Sequence, residues 1–412
     1  MTSVSPYHTH RLPNGLTVLA EPMPHMKSAA MTLLIPAGVS TEPAGAVGIA
    51  SILSDILLRG AGNRDSRQLS EHLDMLGLQR SSSAGIYHLR FGAAALAQNL
   101  IASLDAYGDI LTRPHLPQEG FDAAKDLSLQ SLSGLEDDPR SKLGVLLRKA
   151  YFGEPLGRNA MGEVTDLQAL SLETLKSHFT SRCSGDGAIL AVAGNIQPDE
   201  LFARANSAFG GLGTQQAPLS MTSGQRQSYL FEKQPSEQTH IGLAYPSIGE
   251  SHPDYYANRL AIEALGGGMS SRLFTEVREK RALCYSVSAS YVSIKAEACI
   301  FAYSGTSNDR AQVTFDCLIG ELRRLALGIT QAELDRAKIG LKAAVIMQGE
   351  STSARASAVA GDYFALGRIR TLGEISSAID SVTLEQTNRF LAGNPAGPFT
   401  VVVIGPNELK VN

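Results

Sequence analysis
Little in this chain points toward polyanions, membranes or disulfide chemistry. Lysine and arginine total 36 against 40 aspartates and glutamates, a formal net charge of -4, and no basic run occurs. Nucleic acid and anionic membrane surfaces are therefore poor candidate partners. Only four cysteines are present, Cys183, Cys284, Cys299 and Cys317, without Cys-x-x-Cys spacing; at this length they read as buried thiols in a reducing compartment, not a disulfide framework or zinc knuckle. No apolar run approaches a membrane span, and the first seven residues lack the charged and apolar regions of a signal. The expectation is a soluble protein, cytoplasm favoured, with the periplasm open if a signal has been removed. Nine histidines occur and no two stand three or four apart. His8 and His10 would share one strand face, but no acidic third ligand is near, so a solvated pair is expected. Nucleophile elbows, phosphate loops and dinucleotide fingerprints are missing too.

What the chain does have is apolar mass and order. With 412 residues, 43% hydrophobic and 18% charged, it can bury sizeable cores, and two domains are the default. Pro13-Asn14-Gly15 is turn chemistry between two short alternating strands, and a third strand over 29–36 precedes a helix over 46–59 with Ile49, Ile52, Leu53, Ile56 and Leu57 on one face. Further helices are expected over 66–76, 97–111, 117–135, 140–151 and 170–180, and strands over 87–93 and 188–194. Segregated runs of strands and helices make the fold class α+β, with a mainly antiparallel sheet packed with helices in each domain.

The second half repeats the first. Leu33 to Pro36 recurs as Leu243 to Pro246, and Phe121-Asp122 with Lys125 as Leu334-Asp335 with Lys338; Ser171-Leu-Glu recurs as Thr383-Leu-Glu, and Ala191 to Gly194 as Val402 to Gly405. The offsets of 210, 213, 212 and 211 residues predict two structurally homologous domains, 1–212 and 227–412, joined by a Gly/Ser/Gln-rich linker over 213–226.

Within the second half, Gly266, Gly267 and Gly268 precede a stretch of helical composition over 269–280, and Arg278 and Tyr285 follow across a turn. Spacing alone favours an amphipathic helix with a solvated charged face. The glycines suit close approach of a peptide or a hinge as well as a helix-ending turn.

The stretch from Gly266 to Val287, the opening Arg11-Leu-Pro-Asn-Gly-Leu-Thr-Val, Gly45-Ala-Val-Gly-Ile-Ala, the Glu136-Asp-Asp-Pro139 turn and Pro155-Leu-Gly-Arg158 together resemble the pitrilysin/insulinase family of zinc metallopeptidases, most closely its mitochondrial-processing-peptidase-like branch. The resemblance implies a clamshell of two like domains, and an Arg/Tyr pair in one half that reaches substrate held at the zinc of the other. Active members carry His-x-x-Glu-His on the helix equivalent to 46–59 and a further zinc-binding glutamate downstream. Here that helix reads Ser51-Ile-Leu-Ser54-Asp55, and the downstream position falls on about Ser131. Zinc needs imidazole or carboxylate donors and a general base, so no metal is expected in this chain. Arg272 and Arg281 are assigned to a solvated or ion-paired face, and Tyr291 to the core.

The resemblance therefore implies a non-catalytic subunit: Arg278 and Tyr285 as catalytic and substrate-binding residues, Gly266–Gly268 at the peptide, zinc in a homologous partner subunit, and a heterodimeric processing peptidase as the product. A pseudo-peptidase scaffold or peptide-binding module is the alternative. A self-sufficient peptidase built on Asp55 is the least favoured.

Overall fold
A computed structural model describes residues 7–214, 224–295 and 297–411. In chain order the first part comprises β1 (His8–Arg11), β2 (Thr17–Pro22), β3 (Ser28–Ile35), α1 (Ile49–Ile56), β4 (Gly60–Ala61), β5 (Arg64–Asp65), α2 (Ser66–Met75), β6 (Gln79–Ala84) and β7 (Leu89–Leu96). Then come α3 (Ala97–Thr112), α4 (Gln118–Glu136), α5 (Pro139–Phe152), α6 (Val164–Ala169), α7 (Leu172–Arg182), β8 (Ile189–Gly194) and α8 (Pro198–Phe209). The later part comprises β9 (Tyr229–Lys233), β10 (Gln238–Ser247), α9 (Tyr255–Gly266), β11 (Ser286–Ile294), β12 (Glu297–Ser307) and α10 (Ala311–Arg324). It closes with α11 (Gln331–Gly349), α12 (Thr352–Leu366), α13 (Leu372–Ser381), α14 (Leu384–Gly393) and β13 (Thr400–Gly405). The α+β class holds. The expected linker, 213–226, lies for its greater part outside the described residues.

Two main sheets form, β1-β2-β8-β3-β7-β6 and β11-β12-β10-β13-β9. Setting β9 on β2, β13 on β8, β10 on β3, β12 on β7 and β11 on β6 gives the same neighbours and the same senses, including the single parallel pair, β2 with β8 or β13 with β9. Register agrees as well: Leu33 faces Leu190 and Leu243 faces Val401. The side-chain roles repeat with them. Lys125 donates to the carbonyls of Gln168 and Leu170 at the end of α6, and Lys338 to those of Asp380 and Val382 at the end of α13. Ser171 and Thr383 cap α7 and α14. These are the caps and lysine anchors on which the sequence repeat rests.

Central strands β8 and β13 are buried along their whole length. Both faces of each sheet are covered at these strands, which is why they read as unbroken aliphatic runs. One face of each sheet packs on a large apolar core. In the first, the opposite face takes α12, with Val359 and Ala360 on Leu19, Ile189 and Ala191, and Ala356 among Met23, Ala30 and Ala193. In the second, it takes α5, whose Leu143 and Leu147 sit directly over Gly242 of β10.

The compact units are thus not the consecutive stretches 1–212 and 227–412. Gln348–Arg370 belongs to the first unit and Leu135–Gly157 to the second. The exchange is reciprocal and each incoming helix is fastened in the same way. Arg355 of α12 donates from Nε to both oxygens of Glu21 at 3.1 and 3.0 Å, while Lys142 of α5 pairs with Glu232. Glu21 and Glu232 close equivalent strands. The partition follows from which sheet each helix covers, a choice its amphipathic pattern does not encode. No helix of the described residues is long and apolar enough to cross a membrane.

Candidate functional site
In the first unit, α1 begins at a residue only glycine tolerates. Gly48 has φ +121, and a Cβ there would lie 2.5 Å from Leu167 Cδ2. With no side chain of its own to cap the helix, Gly48 leaves that role to Glu42, whose Oε1 accepts the Ala50 N–H at 2.7 Å. Its other oxygen is buried without a hydrogen-bond partner among the described residues. Burial pushes the carboxyl up to about 8, against the opposing pull of the Ala50 and Gly48 N–H groups. Sequence reasoning missed Glu42, because Thr41-Glu42-Pro43 looks like an exposed turn.

Along α1, Ser51, Ser54 and Asp55 share one half-buried face. Ser54 Oγ donates to the Ser51 carbonyl at 2.7 Å, and Asp55 pairs with Arg59 one turn on. Ser131, exposed on α4, donates to the Leu127 carbonyl at 2.8 Å. Two of the hydroxyls are closed on their own helices and the one carboxylate is neutralised. This donor set does not fit Zn²⁺, which takes imidazole, thiolate or free carboxylate. Among the described residues no group of three or more His, Cys, Asp or Glu could hold a metal ion. His8 and His10 are exposed, and the His10 ring stacks on Phe202 at 5.1 Å.

In the second unit the three glycines are not equivalent. A Cβ on Gly266 would lie 2.3 Å from the Ala289 backbone nitrogen, so this glycine lets α9 touch β11. On Gly267 it would meet the Glu263 carboxylate, and on Gly268 it would meet nothing within 4 Å. Of the three, Gly268 alone has open space around it.

The helix expected over 269–280 contains a π-helical turn, Phe274–Glu279, with the Lys280 N–H reaching back to the Thr275 carbonyl. The extra residue of a π turn re-aims the side chains that follow it. Leu273 and Val277 point into the core. The chain then turns through Ala282 at φ +49. There the Thr306 and Thr314 hydroxyls hold the Leu283 carbonyl, and the Tyr285 N–H bonds to the Gly305 carbonyl as β11 begins.

These anchors bring Arg278 and Tyr285 together. The Arg278 guanidinium carbon lies 4.6 Å from the Phe274 ring centre and 5.1 Å from that of Tyr285. Both distances are within cation–π range, so the two rings draw the guanidinium to them. It has neither an ion pair nor a hydrogen bond among the described residues, and the hydroxyl of Tyr285, a residue 79% exposed, has no hydrogen-bond partner there either. A guanidinium fork and a phenol are thus presented side by side with their donors open, a pairing suited to a carbonyl or carboxylate oxygen.

The neighbouring cations differ. Arg272 forks onto Glu333 at 2.5 and 2.8 Å and bonds the Gly328 carbonyl; Arg281 pairs with Glu276 at 2.9 Å. Burial alone would raise the Glu333 carboxyl, but Arg272 and the Thr330 N–H bring it down to about 2. Tyr291 is half-buried and donates to the Ile248 carbonyl.

Residues 17–164 match the family model described as Insulinase (Peptidase family M16), and 169–341 match that of the Peptidase M16 inactive domain. An uncharacterized zinc protease of Mycobacterium leprae (strain TN) is 28% identical over 407 residues, covering 97% of this chain and 92% of that protein. An uncharacterized zinc protease of Rickettsia felis is 25% identical, covering 98% of each. Among solved structures, a peptidase M16 inactive domain from Pseudomonas fluorescens superposes with a TM-score of 0.90 at 21% identity, over 98% of this chain and 100% of that one. A protease from Helicobacter pylori gives 0.88 at 21%, over 97% and 99%. At that identity the structural likeness speaks for a shared fold.

Proposed function
Because the chain belongs to the insulinase (M16) family of peptidases, we propose that it is the non-catalytic subunit of a heterodimeric zinc metallopeptidase, lending Arg278 and Tyr285 to a site whose metal a homologous partner holds. One conjunction carries this reading. The zinc positions hold serines, with the Ser54 and Ser131 hydroxyls closed on their own helices, and a paired aspartate, whereas Arg278 and Tyr285 keep their donors open.

When bound in the partner, zinc supplies the Lewis-acid activation of water that this chain's residues cannot. Arg278 grips a backbone carbonyl or carboxylate of the peptide through its fork, kept in place by cation–π contact with Phe274 and Tyr285. The Tyr285 hydroxyl donates to the oxygen that gains charge as the scissile carbonyl becomes tetrahedral. Gly268, unobstructed, lets the peptide backbone pass close to the element.

One oxyanion donor is worth about 3 kcal/mol, or roughly 100-fold in turnover. The test is co-purification of the native protein with a homologue bearing His-x-x-Glu-His, followed by reconstitution. The chain alone should neither cleave peptides nor retain stoichiometric zinc, and the pair should cleave. In the pair Tyr285→Phe should lower kcat about 100-fold with assembly unchanged. Unaltered turnover would leave the scaffold reading in its place.

A further inference from the structure
The duplication supplies an internal control for the outward face of α11. Its inner face packs Leu334, Ala337, Leu341 and Val345 on the core. Its outer face carries Ile339, Gly340, Ala343, Ile346 and Met347, all exposed, with Ile339, Ile346 and Met347 each more than half exposed. Helix α4 is the equivalent element at the Lys125/Lys338 offset, and its matching positions are Asp126, Leu127, Gln130, Ser133 and Gly134. Leu127 is the one large apolar residue in that set. The fold therefore tolerates a polar outer face here, and the apolar stripe of α11 answers to something other than folding. A helix apolar on both sides is one that expects cover.

The stripe leads into a cavity of about 360 Å³, with Gly268, Met269 and Ser270 on one wall and Arg336, Ala337, Ile339 and Gly340 on the other. Glu263 also lines it. Arg336 and Glu263 contribute opposite charges, and Glu333 is neutralised by Arg272, so the cavity does not select a charged side chain. Its first wall is the stretch that runs on into the Phe274–Arg278 turn.

We infer that this cavity and the outer face of α11 form a subsite for an extended peptide segment carrying apolar side chains. One side chain enters beside Gly268 and Met269, and the next ones outward lie along Ile339, Ala343, Ile346 and Met347. From Ile339 to Met347 a helix rises about 12 Å, the span of about four extended residues at roughly 3.3 Å each. Four side chains and one cavity offer far less than the roughly 800 Å² per partner that a stable subunit contact buries, which favours a peptide over a folded protein. The inference rests on the Arg278/Tyr285 element facing substrate, since it assigns that substrate a side-chain chemistry.

The test uses the whole chain without a partner and two dye-labelled decapeptides, one with leucine and one with asparagine at alternate positions, read by fluorescence anisotropy. The leucine peptide should bind at least tenfold more tightly. Combined Ile339→Ser, Ile346→Ser and Met347→Ser, all at exposed positions, should remove that preference, and Gly268→Leu, which fills the cavity, should weaken binding independently. No preference in the unaltered chain, or a preference that survives both variants, overturns the inference. In a separate co-purification, a serine variant that keeps the peptide preference but loses the homologous subunit would overturn it as well. Arg278 and Tyr285 are intact throughout, so an unaltered turnover in Tyr285→Phe and an unaltered peptide preference here are separate failures.

Discussion

In the first unit, Ser54, Asp55 and Ser131 turn to the Ser51 carbonyl, Arg59 and the Leu127 carbonyl; in the second, the Arg278 guanidinium lies against the Phe274 and Tyr285 rings, and among the described residues neither it nor the Tyr285 hydroxyl has a hydrogen-bond partner. The framework around these two sets is the same. Sheet order, register, helix caps, lysine anchors and the docking of an exchanged helix all repeat. A shared scaffold cannot explain a difference between its two copies. Polar groups satisfied within their own helix have nothing left to offer a ligand, whereas Arg278 and Tyr285 retain donors whose water a ligand's acceptors can replace.

The largest effect expected of any variant within this framework concerns the two fastened helices. Arg355 and Glu21 are 3% and 11% exposed, and Arg355 also donates to the Tyr7 hydroxyl at 3.0 Å. Lys142 is 10% exposed, but its partners Glu232 and Glu136 are 32% and 64% exposed. Arg355→Met strands a buried carboxylate and should cost about 3–5 kcal/mol in urea unfolding. Burial already raises the Glu21 carboxyl despite Arg355, so proton uptake should hold the loss toward the lower figure. Lys142→Met leaves carboxylates that water can reach and should cost about 1 kcal/mol. Equal losses would break the asymmetry drawn between the two locks.

A smaller effect separates neighbouring glycines. Gly266→Ala drives a methyl against the Ala289 backbone and should cost about 1–3 kcal/mol through overpacking of α9 on β11. Gly268→Ala should change thermal stability by less than about 0.5 kcal/mol, being open and outside the left-handed region. A matching loss at both positions would return the glycines to a common structural turn.

How much of this was legible in the sequence depends on how local each signal is. Turns, caps and lysine anchors are set within a few residues, so Ser171/Thr383 and Lys125/Lys338 make the duplication readable from the sequence itself. The exchange of α5 and α12 was not legible, because Glu21 and Arg355 stand 334 residues apart and a helix pattern does not name the sheet it will cover. Strand β6, Gln-Arg-Ser-Ser-Ser-Ala at a sheet edge, lacks the apolar alternation that would have marked it. The Arg278–Tyr285 spacing was visible, but the π turn that aims Arg278 was not, since composition gives helix without its hydrogen-bond period. Glu42 was hidden by its own polarity.

Glu42 and Glu333 give the subtlest contrast, in pH. Each sits at the start of a helix, Glu42 serving α1 and Glu333 in the first turn of α11. Among the described residues, only Glu333 has a cation on its carboxylate oxygens; at Glu42 the Arg158 guanidinium bonds the backbone carbonyl and acts on the carboxyl only through space. Folded, Glu42 keeps its proton to about pH 8, whereas its ordinary value is 4.5. The folded state therefore binds more protons across that window, and Glu42 lowers the stability of the first unit as pH rises through it. For Glu333 the shift is opposite: held near 2, it contributes stability above 4.5 that is lost as pH falls toward 2. Glu42→Gln keeps an acceptor for the Ala50 N–H and removes the ionisation. It should raise the melting temperature of the first unit by a few degrees at pH 8.5, with little change at pH 5, followed by hydrogen exchange in peptides from α1. Exchange in α11 should not respond. A first unit whose pH profile is the same before and after the Glu42→Gln substitution would show that the carboxyl is solvated in solution, and the contrast between the two helix starts would then reduce to Arg272 alone.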